Sequence, residues 1–218
     1  MPEPDAILFD LYDTLVWADW SGMAEELADR LEVAPAAVEL AYEDLRHARD
    51  GGELPDAESV LVAVARHCGV EPGPALVADL VAWEERTLAR RVVLYEDAVG
   101  VLRRLRAGGL RTGVVSNCSP STRPVVDRLG LGREADAVVL SCEVGAAKPA
   151  AVIYEVALQA VGVEAARSVF VDDRADYLDG AAALGMRTVQ IRRPNASAAP
   201  ASNHRWVGGL HPLVGALL

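Results

Sequence analysis

Residues 5–15, Asp-Ala-Ile-Leu-Phe-Asp-Leu-Tyr-Asp-Thr-Leu, restrict the possible folds more than any other stretch of the chain. Ala6 to Phe9 is short and wholly apolar. Such a run reads as a strand buried on both faces, as in the middle of a parallel sheet. It ends in Asp10, with Tyr12, Asp13 and Thr14 close behind. A carboxylate at the carboxyl end of a buried parallel strand stands where open α/β sheets bind ligands. The alternative is that Asp10 only stabilises the turn that follows. Three further polar clusters downstream weigh against it: Ser116-Asn117, Lys148-Pro149 and Asp172-Asp173.

The order of elements supports a sheet. Leu15 to Trp20 reads as an exit loop, and Ser21 to about Arg91 is helical throughout. Ser21 is suited to cap a first helix, Pro35 opens a second that ends near Gly51-Gly52, Asp56 precedes a third, and Pro74 begins a fourth. A connection this long predicts a separate helical subdomain lying over the end of the first strand. From Tyr95 the pattern changes. Strands expected at 112–115, 137–140, 168–171 and 188–191 alternate with helices at 97–107, 122–129, 150–161 and 179–184. This alternation predicts a doubly wound parallel sheet with right-handed crossovers. The expected division is a core of residues 1–16 and 92–218 with an inserted cap of residues 17–91. Residues 195–203 read as a surface loop, and 206–218 as a short apolar helix against the core.

Composition narrows the class. A net charge of −11 provides no basic excess for nucleic-acid phosphates. No stretch reaches the roughly 18 apolar residues of a membrane span. No basic start and apolar core mark a secretory signal, so a cytoplasmic location is expected. Cys68, Cys118 and Cys142 show no CxxC spacing and read as free thiols. Of the 21 Lys plus Arg residues only Lys148 is lysine. In a chain that otherwise uses guanidinium, a lone ammonium suits a tight site between carboxylates and an anionic ligand.

These residues carry a resemblance. Phe9-Asp10-Leu11-Tyr12-Asp13-Thr14-Leu15, Val115-Ser116-Asn117, Lys148-Pro149 and Val171-Asp172-Asp173 leading to Gly180-Ala181 match four motifs in order and spacing. The set resembles the haloacid dehalogenase superfamily of aspartate-nucleophile hydrolases. The helical insertion resembles that family's C1-type cap. The resemblance implies a Rossmann-like core, Asp10 as nucleophile, and Ser116 and Lys148 as catalytic groups holding the transferred anion. It also implies that Tyr12, Ser116, Asn117 and Lys148 contact substrate. Asp10, the Tyr12 carbonyl, Asp172 and Asp173 would hold Mg²⁺, with Asp173 the direct ligand and Asp172 direct or one step removed. The expected partner is a small anionic molecule, with no nucleic acid and no membrane, for a monomer or homodimer.

One residue departs from the pattern. The family's phosphatases place an acid/base aspartate two residues after the nucleophile, where this chain has Tyr12. Its dehalogenases have tyrosine there but lack the acids corresponding to Asp172-Asp173. Three readings follow: a Mg²⁺-dependent phosphatase of a small phosphorylated metabolite, a metal-free 2-haloacid dehalogenase-like hydrolase, or a binding or regulatory protein with weak turnover. Two adjacent acids beside Asp10 would repel an α-halo carboxylate unless a cation lies between them, which favours the first. Asp13, one residue late, is expected to be a turn residue; it would supply acid/base help only if the loop turned its side chain inward.

Overall fold

A computed structural model describes residues 3–194 and 203–217, the side chains of 216 and 217 excepted. Most of the stretch expected as a surface loop, 195–202, lies outside the described residues. The first strand, β1 (Ala6–Phe9), is fully buried. β2 (Val16–Ala18) follows, and then come α1 (Trp20–Leu31), α2 (Pro35–Asp44), α3 (Arg46–Asp50), α4 (Ala57–His67) and α5 (Pro74–Arg91). β3 (Val92–Leu94) returns antiparallel to β2. The core then runs α6 (Ala98–Ala107), β4 (Arg111–Ser116), α7 (Thr122–Leu129), α8 (Leu131–Glu134), β5 (Ala137–Leu140), α9 (Ser141–Val144), α10 (Ala151–Val161) and β6 (Ser168–Asp172). It closes with α11 (Ala175–Ala183), β7 (Arg187–Ile191), β8 (Arg205–Val207) and α12 (His211–Leu217).

Six strands form one parallel sheet in the order β5-β4-β1-β6-β7-β8. The chain moves outward from β1 to β4 and β5, then crosses back to β6 on the other side of β1. The carboxyl ends of β1, β4 and β6 therefore flank the point where winding reverses, the usual position of a ligand crevice. The continuous apolar run of β1 is explained by its two faces. Ile7 and Phe9 pack into a cluster with Val101, Leu102 and Leu105 of α6, Val125 and Val126 of α7, and Leu213 of α12. Ala6 and Leu8 point the other way, toward Ile153, Tyr154 and Ala157 of α10 and Leu178 of α11.

The helical insertion has a cluster of its own. Leu27, Leu31, Val38, Leu61, Val64, Leu80 and Trp83 bury their side chains against one another, apart from both sheet clusters. Several boundaries differ from the sequence expectation. The expected exit loop contains β2, which pairs with β3 and straddles the expected boundary at 16/17. Strands this short give little periodicity by themselves. Asp19, not Ser21, caps α1, its carboxylate accepting the Gly22 N–H at 3.1 Å. The second expected helix breaks at Leu45, so the insertion has five helices. The helix expected at 179–184 starts four residues earlier, at Ala175. Part of the expected C-terminal helix is β8, a sixth strand on the sheet edge. No helix among the described residues is long and apolar enough to cross a membrane.

Candidate active site

Backbone pairing places the polar clusters. β1 pairs with β4 on one side and β6 on the other, with Phe9 level with Val114 and Val171. The Asp10 N–H continues this ladder, donating to the Val171 carbonyl at 2.8 Å. Asp10, Ser116 and Asp172 thus emerge at three neighbouring strand ends, and all three are buried. Lys148 arrives on the loop before α10. That loop is held by Asn117, whose Nδ2 donates to the Lys148 carbonyl at 2.8 Å and whose Oδ1 accepts the Lys148 N–H at 2.7 Å. Close packing supports it from below: a Cβ on Gly180 would lie 2.7 Å from the Pro149 carbonyl, so only glycine fits there.

The Lys148 ammonium bridges two carboxylates, 2.5 Å from Asp10 Oδ1 and 2.7 Å from Asp172 Oδ2. Its side chain is fully buried, and Phe170 and Tyr177 present their rings to it at 5.3 and 4.8 Å. Asp172 Oδ1 accepts the Arg174 N–H at 2.8 Å, so both its oxygens are engaged. Asp173 completes an acidic cluster in which Asp10, Asp172 and Asp173 each place an oxygen within 4.8 Å of the others. Burial is the main force raising the Asp10 carboxyl above its ordinary range. Lys148 opposes that rise and Asp172 adds to it. Burial likewise raises Asp173, reinforced by the negative charges of Asp10 and Asp13. The two carboxylates beside Lys148 keep its ammonium protonated despite burial. Three carboxylates around one ammonium leave surplus negative charge. A hard divalent cation suits both that surplus and an all-oxygen donor set.

Above the cluster lies a cavity of about 540 Å³, the size of a small-molecule site. Asp10, Tyr12, Asp13, Asn117 and Asp173 line it, whereas Ser116 and Lys148 do not reach its wall. The Ser116 hydroxyl is fully buried and points to the Asn117 carbonyl at 3.5 Å. Tyr12 aims its hydroxyl at Thr122 Oγ1, 3.1 Å away, and burial keeps that phenol un-ionised. Asp13 is both a turn residue and a cavity residue. Its φ of 57° lets its N–H donate to the Val16 carbonyl at 2.7 Å, and the residue lines the pocket.

A family model described as haloacid dehalogenase-like hydrolase matches residues 4–185. The chain belongs to the haloacid dehalogenase-like hydrolases. A glyceraldehyde 3-phosphate phosphatase of Methanopyrus kandleri is 33% identical to this hydrolase over 199 residues, 86% of this chain and 84% of that protein. An enolase-phosphatase of Gluconacetobacter diazotrophicus is 36% identical over 140 residues. That match covers 61% of the hydrolase and spans only 58% of the relative's length. An L-2-haloacid dehalogenase of Xanthobacter autotrophicus, solved with chloropropionic acid covalently bound, aligns with a TM-score of 0.69 at 21% identity, covering 97% of both chains. At that identity the likeness shows the fold alone.

Several cavity residues of the hydrolase carry no motif. Trp20, Tyr42, Arg46, Arg49, Trp83 and Glu84 form its helical wall. Glu84 is buried, accepts the Ser121 hydroxyl at 2.7 Å, and is raised chiefly by desolvation. In sequence it is one acid in an amphipathic helix, indistinguishable from Glu85 beside it. Arg193 was equally silent. It donates to the Thr14 carbonyl at 2.6 Å and pairs with Asp97 at 2.8 Å, which ties down the loop carrying Tyr12 and Asp13.

Proposed function

We propose that this hydrolase is a Mg²⁺-dependent phosphatase of small phosphate monoesters, with Asp10 as nucleophile and residues 17–91 as a cap domain that selects the substrate. The observation that carries the reading is the buried trio Asp10, Asp172 and Asp173 around the single ammonium of Lys148. Such a floor favours a cation and then an anionic ester, and it disfavours a bare haloacid carboxylate. Asp10, the Tyr12 carbonyl and Asp173 would hold the ion. Asp172 stands in the same cluster, and because its two oxygens already accept from Lys148 and the Arg174 N–H, it also orients Lys148. When bound, Mg²⁺ neutralises charge on the phosphoryl oxygens as they move between donor and acceptor.

The chain's own groups do the rest. An Asp10 carboxylate oxygen forms a bond to phosphorus while the bond to the ester oxygen breaks, giving an acyl phosphate on Asp10. Lys148 opposes the burial that raises Asp10 and orients its carboxylate for that attack. The departing alkoxide takes a proton, and water later attacks the acyl phosphate to release inorganic phosphate. Tyr12 is poorly suited to exchange that proton, because burial holds its phenol un-ionised and its hydroxyl bonds with Thr122. Asp13 lines the same cavity and is the group proposed for that transfer. Asn117 fixes the backbone of Lys148, and the buried Ser116 supports the strand end beneath them.

A panel of phosphate esters and 2-haloacids, run with and without Mg²⁺, tests the reading. Phosphate release that requires Mg²⁺ is expected. Halide release without metal would replace the reading by a dehalogenase, which Tyr12 favours. Ligand binding without any turnover would replace it by a binding protein.

A further inference from the structure

Two of the three cysteines follow adjacent strand ends, Cys118 lines the cavity, and the mechanism uses neither. We propose that Cys118 and Cys142 are a peroxide-responsive dithiol site, whose oxidation to a disulfide draws in the cavity wall and slows turnover. Ser116 of β4 and Leu140 of β5 are register partners on adjacent parallel strands. Each cysteine follows its strand partner by two residues. The strands end at Ser116 and Leu140, so Cys118 lies in the loop after β4 and Cys142 in the first turn of α9, on two adjacent strand exits. The segments are also bonded together, the Cys118 N–H donating to Ser141 Oγ at 2.9 Å. The two thiols lie close enough to shift each other's ionisation in opposite directions. The remaining thiol, Cys68, lies in the helical insertion and donates to the Ala37 carbonyl at 3.5 Å.

The two members differ in the way an attacking and a resolving thiol should. Cys142 is half-buried, and the neighbouring Cys118 thiol lowers the Cys142 thiol from its ordinary value. Cys118 is buried, lines the cavity, and is raised. The Cys142 thiolate attacks one oxygen of a peroxide, the O–O bond breaks, and a sulfenic acid forms as hydroxide leaves. Cys118 sulfur then attacks the Cys142 sulfur, the S–O bond breaks, and water leaves with the thiol proton. Two thiols lose two electrons, one peroxide gains them, and hydrogen peroxide becomes two waters.

The cross-link would be felt on both sides of the cavity. Cys118 adjoins Asn117, which clamps Lys148. Cys142 lies under the end of α3, where a Cβ on Gly52 would come within 2.4 Å of the Cys142 carbonyl.

The test treats the full chain with hydrogen peroxide, quenches it, and counts thiols after denaturation. The expected count falls from three to one, with a mapped Cys118–Cys142 cross-link that dithiothreitol reverses. Cys68→Ser should oxidise in the same way and Cys142→Ser should form no intramolecular cross-link. Hydrolysis of p-nitrophenyl phosphate should fall about tenfold or more on oxidation, since sub-ångström displacements of positioned groups are costly, and it should recover on reduction. Cys142 oxidised alone, a bond involving Cys68 or a second chain, or a cross-link with unchanged turnover would overturn the proposal. If the reduced protein hydrolyses no phosphate ester, the proposed function fails while the thiol count still decides whether this site exists.

Discussion

The floor and the roof of the cavity are built by different means. The floor comes from strand ends: Asp10, Ser116 and Asp172 follow from the register of three hydrogen-bonded strands, and all are buried. The roof comes from side chains on α1, α2, α3 and α5, held by a hydrophobic cluster separate from those of the sheet. Moving a floor residue means disturbing the backbone ladder of the sheet. Changing a roof residue disturbs only one helix surface. Reaction class is therefore expected to reside in the floor and substrate choice in the roof, and each prediction below sets one against the other.

Asp10→Asn should have the largest effect. An amide cannot form the acyl intermediate, so turnover should drop on the order of 10⁴-fold or more while substrate still binds under the roof. Beryllium fluoride, a phosphate mimic, should form its adduct on Asp10 in the wild-type protein. Mapping it to Ser116 or Cys118 instead would remove Asp10 from its role.

Next is Lys148→Arg. A planar guanidinium does not fit between two carboxylates 2.5 and 2.7 Å from one ammonium nitrogen. The expected loss is on the order of a hundredfold or more in kcat. Near wild-type turnover would show that the lone lysine is a compositional accident. Borohydride with an aldehyde or ketone should trap no adduct on Lys148, because its ammonium stays charged.

Asp173→Ala should lower Mg²⁺ affinity about a hundredfold by titration calorimetry, with unchanged thermal unfolding of the metal-free protein. Wild-type protein that takes no divalent cation, with or without phosphate, would break the account of the floor.

Trp83→Ala tests the independence of the roof. Trp83 is 2% exposed, and its indole donates to Glu26 at 2.9 Å. Its loss should cost about 3–5 kcal/mol of stability in the helical cluster, yet leave Mg²⁺ binding to the folded floor unchanged. Weakened metal binding in that variant would show that floor and roof are one unit.

The smallest effect is expected from Glu84→Gln. Burial raises the Glu84 carboxyl in the folded state, so the folded state holds its proton to higher pH than the unfolded chain. Wild-type stability relative to Glu84→Gln should thus be greatest below the unfolded value near ~4.3 and decline as pH rises toward the folded one. Melting temperatures of the two proteins that run parallel across that window would show that Glu84 is solvated rather than buried.

The two regions were also unequally legible. Floor positions lie at breaks from apolar to polar, such as Phe9 to Asp10 and Val171 to Asp172, and a short continuous apolar run makes such breaks visible. Helical boundaries with a proline or an aspartate cap, at Pro35, Asp56 and Pro74, were equally plain. The ribbon of β2 and β3 was not. Three residues per strand give no period, and their pairing spans an insertion of more than seventy residues. Glu84, Arg193 and the Cys118–Cys142 pair were hidden for a related reason. Each owes its role to a neighbour far off in the chain, and local spacing carries no mark of it.

What the sequence determined by itself was the parallel sheet, the helical insertion and the four polar clusters at one sheet edge. Those follow from hydrophobic period and turn chemistry, which act over a few residues. Only the tertiary structure decided which groups touch. It joined Lys148 to Asp10 and Asp172, gave each Asp172 oxygen a donor, paired the Tyr12 hydroxyl with Thr122 and put Asp13 on the cavity wall. Charge, burial and hydrogen bonding act over a few ångströms in space, and the chain reaches those distances only once the sheet has closed.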